Sequence, residues 1–179
     1  MRISIRGNSD YADHEKMRIA VRYFLRRLLK NDTSGISKVT VDFVDGLLKE
    51  DKTEGQFLFP YRQDCKSFII EVDSSLRENR TLMVLAHECV HLKQWHKEEL
   101  RDSSYPPKYT DSYVKWRGKR ARWRDHADNE DQYFDQPWEI EAYGRQIGLY
   151  HGFRRFYKEM LRDEAVKSSR SYQARNKKR

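Results

Sequence analysis

The spacing of apolar and polar residues divides the first part of the chain into one helix and four strands. The opening residues MRISIR alternate isoleucine with polar side chains, which predicts a short half-buried strand. Apolar residues then recur at helical spacing, so that a helix is predicted between Tyr11 and Asn31. Three strand-like runs follow, KVTVDFV, GQFLFPY and KSFIIEVD, and their spacing predicts an antiparallel meander. Pro60 marks the middle run as an edge strand or as the end of one.

The second part of the chain contains a long connection and a final helix. The connection covers residues 101–136, and within it residues 113–123 alternate large and charged side chains around Gly118, which predicts a hairpin. Pro137 is suited to the first position of a helix. The helix is predicted to extend from Trp138 to about Ala165.

The length and the charge distribution favour one domain with a basic tail. A chain of 179 residues predicts a single domain, assigned to residues 1–166. The net charge is +8, but Lys115–Arg124 and Lys167–Arg179 each carry six positive charges and no negative ones. The tail, residues 167–179, is poor in apolar residues and is predicted to be disordered. It serves either to keep the protein in solution or to attract nucleic acid or an anionic surface.

Composition also excludes several classes of protein. No apolar run approaches the roughly 20 residues of a membrane-spanning helix, and the N-terminus lacks the apolar region of a secretory signal. Two cysteines, Cys65 and Cys89, are too few for a disulfide scaffold or a four-cysteine zinc module. The sequence therefore predicts a cytoplasmic protein without membrane contact.

An HExxH motif provides the most specific chemical feature. Ser75-Leu76-Arg77-Glu78 has the form of a capping box and predicts a helix that continues to about Leu100. His87 and His91 lie one turn apart on this helix, so that both imidazoles can reach one metal ion. A bound metal lowers the pKa of a water molecule, and Glu88 is placed to accept its proton as the general base.

Simpler interpretations exist for the histidines and for two neighbours of the motif. Two histidines four residues apart also occur on the surface of amphipathic helices. Cys89 points away from His87 and is expected in the core rather than at a metal. His96 lies off the ligand face and is expected to be solvated.

A catalytic zinc takes three protein ligands, and the third is sought in Pro137–Gly144, PWEIEAYG. At this point the chain resembles the gluzincin group of zinc metallopeptidases, which pair an HExxH helix with a later helix that donates a glutamate. Those proteins often carry the pattern E-x-x-A, and Glu139-Ile140-Glu141-Ala142 fits it. The PWEIEAYG stretch also resembles small peptidase-like proteins encoded by phages, whose compartment would be the host cytoplasm.

The resemblance covers roughly residues 10–160 and implies a fold and an activity. The implied fold is a minimal zincin-like α+β domain with an N-terminal helix, a three- to four-stranded mostly antiparallel sheet, the HExxH helix and a C-terminal glutamate helix. The implied activity is hydrolysis of peptide bonds with Zn²⁺ held by His87, His91 and one glutamate, with Glu88 as the catalytic base. In related zincins an edge strand pairs with extended substrate, and KSFIIEVD is the strand expected to do so here.

The sequence leaves open which glutamate is the third ligand. Glu139 and Glu141 are about 200° apart around a helix, so that only one can face the metal. Gly144, Gly148 and Gly152 share a face with Glu141 and allow close approach of another helix. If that helix is the HExxH helix, Glu141 is the ligand; if it is the N-terminal helix, Glu139 is. The E-x-x-A pattern favours Glu139.

Two further parts of such a site are less defined. Related enzymes often carry an aspartate four residues after the glutamate, where this chain has Tyr143 or Arg145. A peptidase also needs a donor for the tetrahedral oxyanion. Candidates by position, each also explained by packing or surface exposure, are Tyr143, Tyr150, His126 and Tyr133.

Two functions are therefore weighed. The first is a zinc metallopeptidase. The second is a zincin-fold binding protein with little protease activity, in which the hairpin and the tail contact nucleic acid or an acidic partner, with Trp116 and Trp123 available for stacking. The hairpin can instead be a flap over a substrate cleft that selects acidic peptides.

Overall fold

The computed structural model describes residues 1–60, 64–102, 113–123 and 130–176, with side chains left out for residues 130 and 168–176. The predicted α+β class is confirmed. The strands are β1 Arg2–Arg6, β2 Lys38–Val44, β3 Gly55–Leu58, β4 Ser67–Asp73, β5 Leu100–Asp102, β6 Tyr113–Trp116 and β7 Lys119–Arg122. The helices are α1 His14–Leu28, α2 Leu47–Glu50, α3 Glu78–His96, α4 Glu130–Phe134 and α5 Pro137–Asn176.

The first four strands form one sheet in the order β1-β2-β4-β3. β1 pairs parallel with β2, β2 pairs parallel with β4, and only β3 is antiparallel to its neighbour. The predicted meander and the mostly antiparallel sheet are therefore wrong. Alternation of apolar and polar residues shows which face of a strand is buried but not the direction of the neighbouring strand. Here the chain crosses from β2 to β3 at the far edge of the sheet, and β4 then fills the place between them.

The edge of this sheet also differs from the expectation. KSFIIEVD, which contains β4, lies inside the sheet, and GQFL, which is β3, forms the edge. Gly55 at the start of β3 is required by packing, since a Cβ there would lie 2.4 Å from Cγ1 of Val84 on α3. Glycine thus lets the edge strand approach the HExxH helix closely.

The core lies between one face of the sheet and the helices α1 and α3. In-register residues Val41, Ile70 and Phe57 on three neighbouring strands point to this side and are buried. The predicted apolar stripe of α3 packs here, including the fully buried Leu85 and Cys89. Because α3 is covered by the sheet on one side and by α5 on the other, its polar residues are also buried.

The HExxH helix begins without the predicted capping box. Its N-cap is Arg77, which makes no side-chain cap hydrogen bond, and the hydroxyl of Ser75 bonds Asp73 instead. The helix ends at His96, four residues before the predicted end, because the chain enters β5 at Leu100.

The predicted hairpin is present as β6 and β7, with β5 added as a third antiparallel strand. Its turn residues Arg117 and Gly118 have φ angles of 47° and 80°, the positive values of a type I′ turn. The hairpin packs on Trp138, which is fully buried between Trp116 and Trp123.

The last helix is longer than predicted. α5 continues to Asn176, past the expected end near Ala165 and into the tail that was predicted to be disordered. No glycine or proline follows Gly152 within α5, so nothing in the sequence interrupts the helix once it has formed. No helix among the described residues is both long and apolar enough to cross a membrane.

Candidate metal centre

Two histidines and one glutamate converge between α3 and α5. The Nε2 atoms of His87 and His91 lie 3.0 Å apart. The carboxylate of Glu139 reaches both rings, with Oε2 at 3.3 Å from Nε2 of His87 and Oε1 at 3.4 Å from Nε2 of His91. Within the described part of the chain, this trio is the group of side chains placed to hold a metal ion.

These distances fit one tetrahedral zinc ion. Zinc–ligand bonds of about 2.0–2.2 Å place the ligand atoms of a tetrahedral site about 3.3–3.6 Å apart. The separations of 3.0, 3.3 and 3.4 Å among His87, His91 and Glu139 are close to that range. Oε2 of Glu139 is buried and lacks a hydrogen bond of acceptable geometry among the described residues. A buried carboxylate oxygen is normally hydrogen-bonded, so this exception fits the position of a metal ligand.

The first turn of α5 is fixed against α3, and this places Glu139. Trp138 and Ala142 are fully buried on either side of the glutamate. The backbone oxygen of Trp138 accepts a hydrogen bond of 2.9 Å from Nε2 of Gln94 on α3. Further along α5, a Cβ on Gly152 would lie 2.6 Å from the hydroxyl of Tyr23, so that the glycine face approaches α1 there. A Cβ on Gly144 or Gly148 would meet nothing within 4 Å, so only the Gly152 end of the predicted glycine face packs closely on a helix. That helix is the N-terminal one, as expected for the arrangement in which Glu139 faces the histidines.

Glu141 lies outside the cluster in a separate set of ion pairs. Its carboxylate contacts Nζ of Lys93 at 2.9 Å, Nε of Arg145 at 2.8 Å and a terminal nitrogen of Arg117 at 3.3 Å. These cations favour the charged form, and together with a hydrogen bond from Gln94 they outweigh the effect of burial and lower the pKa of Glu141. Glu141 thus connects α3, α5 and the hairpin rather than the metal centre.

Glutamines hold the outer nitrogens of both imidazoles. Nδ1 of His87 donates to Oε1 of Gln146 at 3.2 Å, and Nδ1 of His91 donates to Oε1 of Gln94 at 2.9 Å. These bonds keep each Nε2 atom directed into the cluster. In related enzymes an aspartate four residues after the glutamate often supports a ligand histidine; this chain has Tyr143 or Arg145 there, so the sequence left the supporting residues open. The available signal was spacing, since Gln146 follows Glu139 by two helical turns and Gln94 follows His91 by one.

Within this trio, Glu139 and His91 shift each other's pKa in opposite directions. Burial disfavours charge on His91, but the Glu139 carboxylate outweighs it and raises the pKa of His91 to about 9. Burial acts against ionisation of Glu139 as well, but the two histidines lower its pKa to about 2. These opposite shifts favour a protonated His91 beside an ionised Glu139.

Glu88 is buried beside the cluster. Burial raises its pKa, although His87 and His91 act in the opposite direction. Its carboxylate accepts a hydrogen bond from the backbone N–H of Phe57 on the edge strand β3. Glu88 is thus held between the histidines and the open edge of the sheet.

Two of the predicted oxyanion donors lie at the site. The ring of Tyr143 contacts that of His87, with centroids 4.5 Å apart, and Tyr133 hydrogen-bonds the carboxylate of Glu139. Burial, reinforced by Glu139, raises the pKa of Tyr143 to about 12 and that of Tyr133 above its usual range, so that both hydroxyls keep their protons. Tyr150 lies in the main core instead, and His126 lies outside the described residues.

The remaining predicted residues take structural positions. Cys89 is fully buried, as expected, and burial raises the pKa of its thiol. His96 is half-buried rather than fully solvated, and burial lowers its pKa. Trp116 and Trp123, proposed for stacking on nucleic-acid bases, pack on Trp138 instead.

Comparisons of the chain with models of known protein families, with characterised proteins and with solved structures find no match.

Proposed function

We propose that the protein is a zinc-dependent metallopeptidase. The observation that carries the proposal is the convergence of His87, His91 and Glu139 on one point, with separations close to those of tetrahedral zinc. A set of two imidazoles and one carboxylate leaves a fourth position for water or substrate, which distinguishes catalytic from structural zinc sites. The resemblance of the HExxH and E-x-x-A segments to gluzincins points in the same direction.

Bound zinc would supply Lewis acidity to a substrate carbonyl and lower the pKa of a water molecule. Glu88 accepts the proton of the attacking water and passes it to the nitrogen of the leaving amine. The raised pKa of Glu88 suits a group that must both take and return a proton near neutral pH. The glutamines behind His87 and His91 hold the rings in place during this exchange.

The surroundings of the cluster supply the remaining requirements of peptide hydrolysis. Tyr143, whose ring contacts that of His87 and whose hydroxyl keeps its proton, is the proposed donor to the oxygen of the scissile carbonyl, since the hydroxyl of Tyr133 is already bonded to Glu139. β3 is the edge strand beside Glu88 and can add an extended peptide by backbone hydrogen bonds. The sequence predicts this role for KSFIIEVD, but that strand lies inside the sheet, so we assign the role to β3.

The test compares metal content and cleavage of a peptide library for the wild type and three variants. We expect about one zinc ion per chain in the wild type and loss of that zinc in His87→Ala. Glu88→Gln should keep the zinc and lose about 10²–10⁴-fold in rate, because it removes only the proton acceptor. Glu159→Gln, an exposed glutamate on α5, is the charge-matched control and should leave both unchanged. Stoichiometric zinc without cleavage, or full activity of Glu88→Gln, would contradict the proposal.

A further inference from the structure

The three-stranded sheet β5-β6-β7 has one face packed and one face charged. Leu100, Val114 and Trp116 lie on the packed face, against Trp138. Because side chains alternate along a strand, the residues between them lie on the opposite face. There the register aligns three cations across the three strands, Arg101 with Lys115 and Lys115 with Arg120. The neighbouring row pairs Tyr113 with Arg122.

This alignment of like charges opposes folding. Like charges directly opposite each other on neighbouring strands are destabilising. Arg101 is largely buried and paired with Glu98, which offsets part of the repulsion. Lys115 and Arg120, which lie opposite each other on β6 and β7, are both exposed, and residues 113–122 contain no acidic side chain. An external polyanion would relieve the repulsion between these two cations.

We propose that this face of the sheet binds the phosphate backbone of a nucleic acid without sequence preference. Arg120 and Arg122 are two residues apart on β7, a separation of roughly 7 Å along the strand, and Lys115 lies about 5 Å across from Arg120. The face therefore presents a short array of cations to a polymer that carries a charge at every unit. The two arginines add planar groups that can bind a phosphate through two hydrogen bonds.

The aromatic residue on this face favours nucleic acid over an acidic protein. The guanidinium carbon of Arg120 lies 3.6 Å from the ring centroid of Tyr113. Tyr113 is itself 38% exposed, so that ring and guanidinium together form a flat surface on which an unpaired base can stack. An acidic peptide would use the cations but gain nothing from this surface. The packed tryptophans Trp116 and Trp123 take no part.

The sheet that carries the binding face also contacts the first turns of α5. The opposite side of the sheet packs on Trp138, the residue before Glu139. At the hairpin turn, Arg117 contacts Glu141 at 3.3 Å. A bound nucleic acid would therefore lie on the side of this sheet that faces away from Trp138. Binding does not depend on the peptidase proposal, because none of the residues that carry it is a metal ligand or a catalytic group.

The test measures affinity of the full chain for labelled oligonucleotides by fluorescence anisotropy over a series of salt concentrations. The variant combines Lys115→Gln, Arg120→Gln and Arg122→Gln. The matched control, with the same loss of three charges, combines Arg22→Gln, Arg26→Gln and Arg27→Gln on the exposed side of α1. Duplex DNA, single-stranded DNA and single-stranded RNA of one length are the probes, and poly-glutamate of similar charge is the competitor.

We expect the hairpin variant to bind at least about tenfold more weakly. The slope of its affinity against salt should fall by about 0.7–0.9 for each phosphate that the variant no longer neutralises. The α1 control should stay within about threefold of the wild type, since it changes only the general charge of the protein. Stronger binding of single strands than of duplex would indicate that unpaired bases stack on Tyr113.

Three outcomes would overturn the proposal: equal weakening in the two variants, no binding by the wild type at low salt, or equal competition by poly-glutamate. Tryptophan fluorescence of both variants verifies that the hairpin still packs on Trp138.

Discussion

His87 and Gln146 are joined by a hydrogen bond of 3.2 Å between Nδ1 of the ring and Oε1 of the amide. Gln146 follows Glu139 by seven residues on α5, which is two turns of helix. One face of α5 therefore supplies a carboxylate to one nitrogen of the imidazole and an amide oxygen to the other. This pairing fixes the tautomer in which Nε2 of His87 is free to bind a metal.

Removal of the amide should weaken metal binding without loss of the ligands. Gln146→Leu leaves the Nδ1–H of His87 without its acceptor, and we expect zinc affinity to fall by about 10–100-fold. Gln146→Glu keeps an acceptor oxygen and should retain affinity close to that of the wild type. Competition with a chromophoric chelator measures both. Equal affinity of Gln146→Leu and the wild type would show that the ring is oriented by other contacts.

Substitution of the two glutamates in the E-x-x-A segment should affect two different properties, zinc binding for Glu139 and folding stability for Glu141. Glu139→Gln removes a ligand and should abolish stoichiometric zinc binding. Glu141→Gln should retain zinc but lower the free energy of unfolding by about 1–3 kcal/mol, because Lys93 is buried and loses one of its two anionic partners. Elemental analysis and urea unfolding measure the two effects. Loss of zinc only in Glu141→Gln would reverse the assignment.

Local pattern was sufficient for most elements of this fold. The helical spacing of α1 and α5, the alternation of β1 and β2, and the hairpin turn at Arg117-Gly118 are each set by residues close in sequence. The parallel pairing of β2 with β4 depends instead on where β3 lies, and no local pattern contains that information. The capping box failed because Asp73, two residues before Ser75, competes for its hydroxyl.

Part of the candidate site could likewise be predicted from local sequence, and part depends on how the helices pack. His87, Glu88 and His91 follow from their spacing on one helix, and the cysteine was correctly placed in the core. The choice between Glu139 and Glu141 required the packing of α5 on two helices at once, since either glutamate has the right chemistry. The supporting glutamines Gln94 and Gln146 belong to no motif. Their spacing places each on the same helix face as a ligand, but the joint geometry of α3 and α5 is needed to show that they bond the imidazoles.

The stability of the protein should depend on the ionisation of Asp73 at the end of β4. Burial opposes its charge, but hydrogen bonds from the backbone N–H of Leu48 and from the hydroxyl and N–H of Ser75 outweigh burial and lower its pKa. Because the folded pKa lies below the unfolded one, this stabilisation is present above about pH 4 and is lost as the pH falls through the folded value.

Asp73→Asn tests this dependence. The amide keeps one acceptor oxygen but presents an NH₂ donor to other donors, and we expect a loss of about 1–3 kcal/mol near neutral pH. The difference from the wild type should shrink as the pH is lowered below about 4, because the wild-type carboxyl then also becomes neutral. Urea unfolding over a pH series provides the measurement. A difference independent of pH would show that the charge of Asp73 is not the stabilising feature.

The glycines of α5 should respond unequally to alanine. A Cβ on Gly148 would meet nothing within 4 Å, so that Gly148→Ala should stabilise the protein by about 1 kcal/mol through helix propensity. A Cβ on Gly152 would lie 2.6 Å from the hydroxyl of Tyr23, whose ring packs against Phe156 at a centroid distance of 5.0 Å and cannot move freely. Gly152→Ala should therefore destabilise.

Removal of the Tyr23 hydroxyl on α1 should relieve the clash at Gly152. In a Tyr23→Phe background the hydroxyl is absent, and Gly152→Ala should then be neutral or stabilising, with a coupling free energy of about 0.5–3 kcal/mol in the double-mutant cycle. Thermal or urea unfolding of the four proteins measures it. Additive effects would mean that α5 does not approach α1 at this glycine, and the packing that directs Glu139 rather than Glu141 toward the histidines would need another explanation.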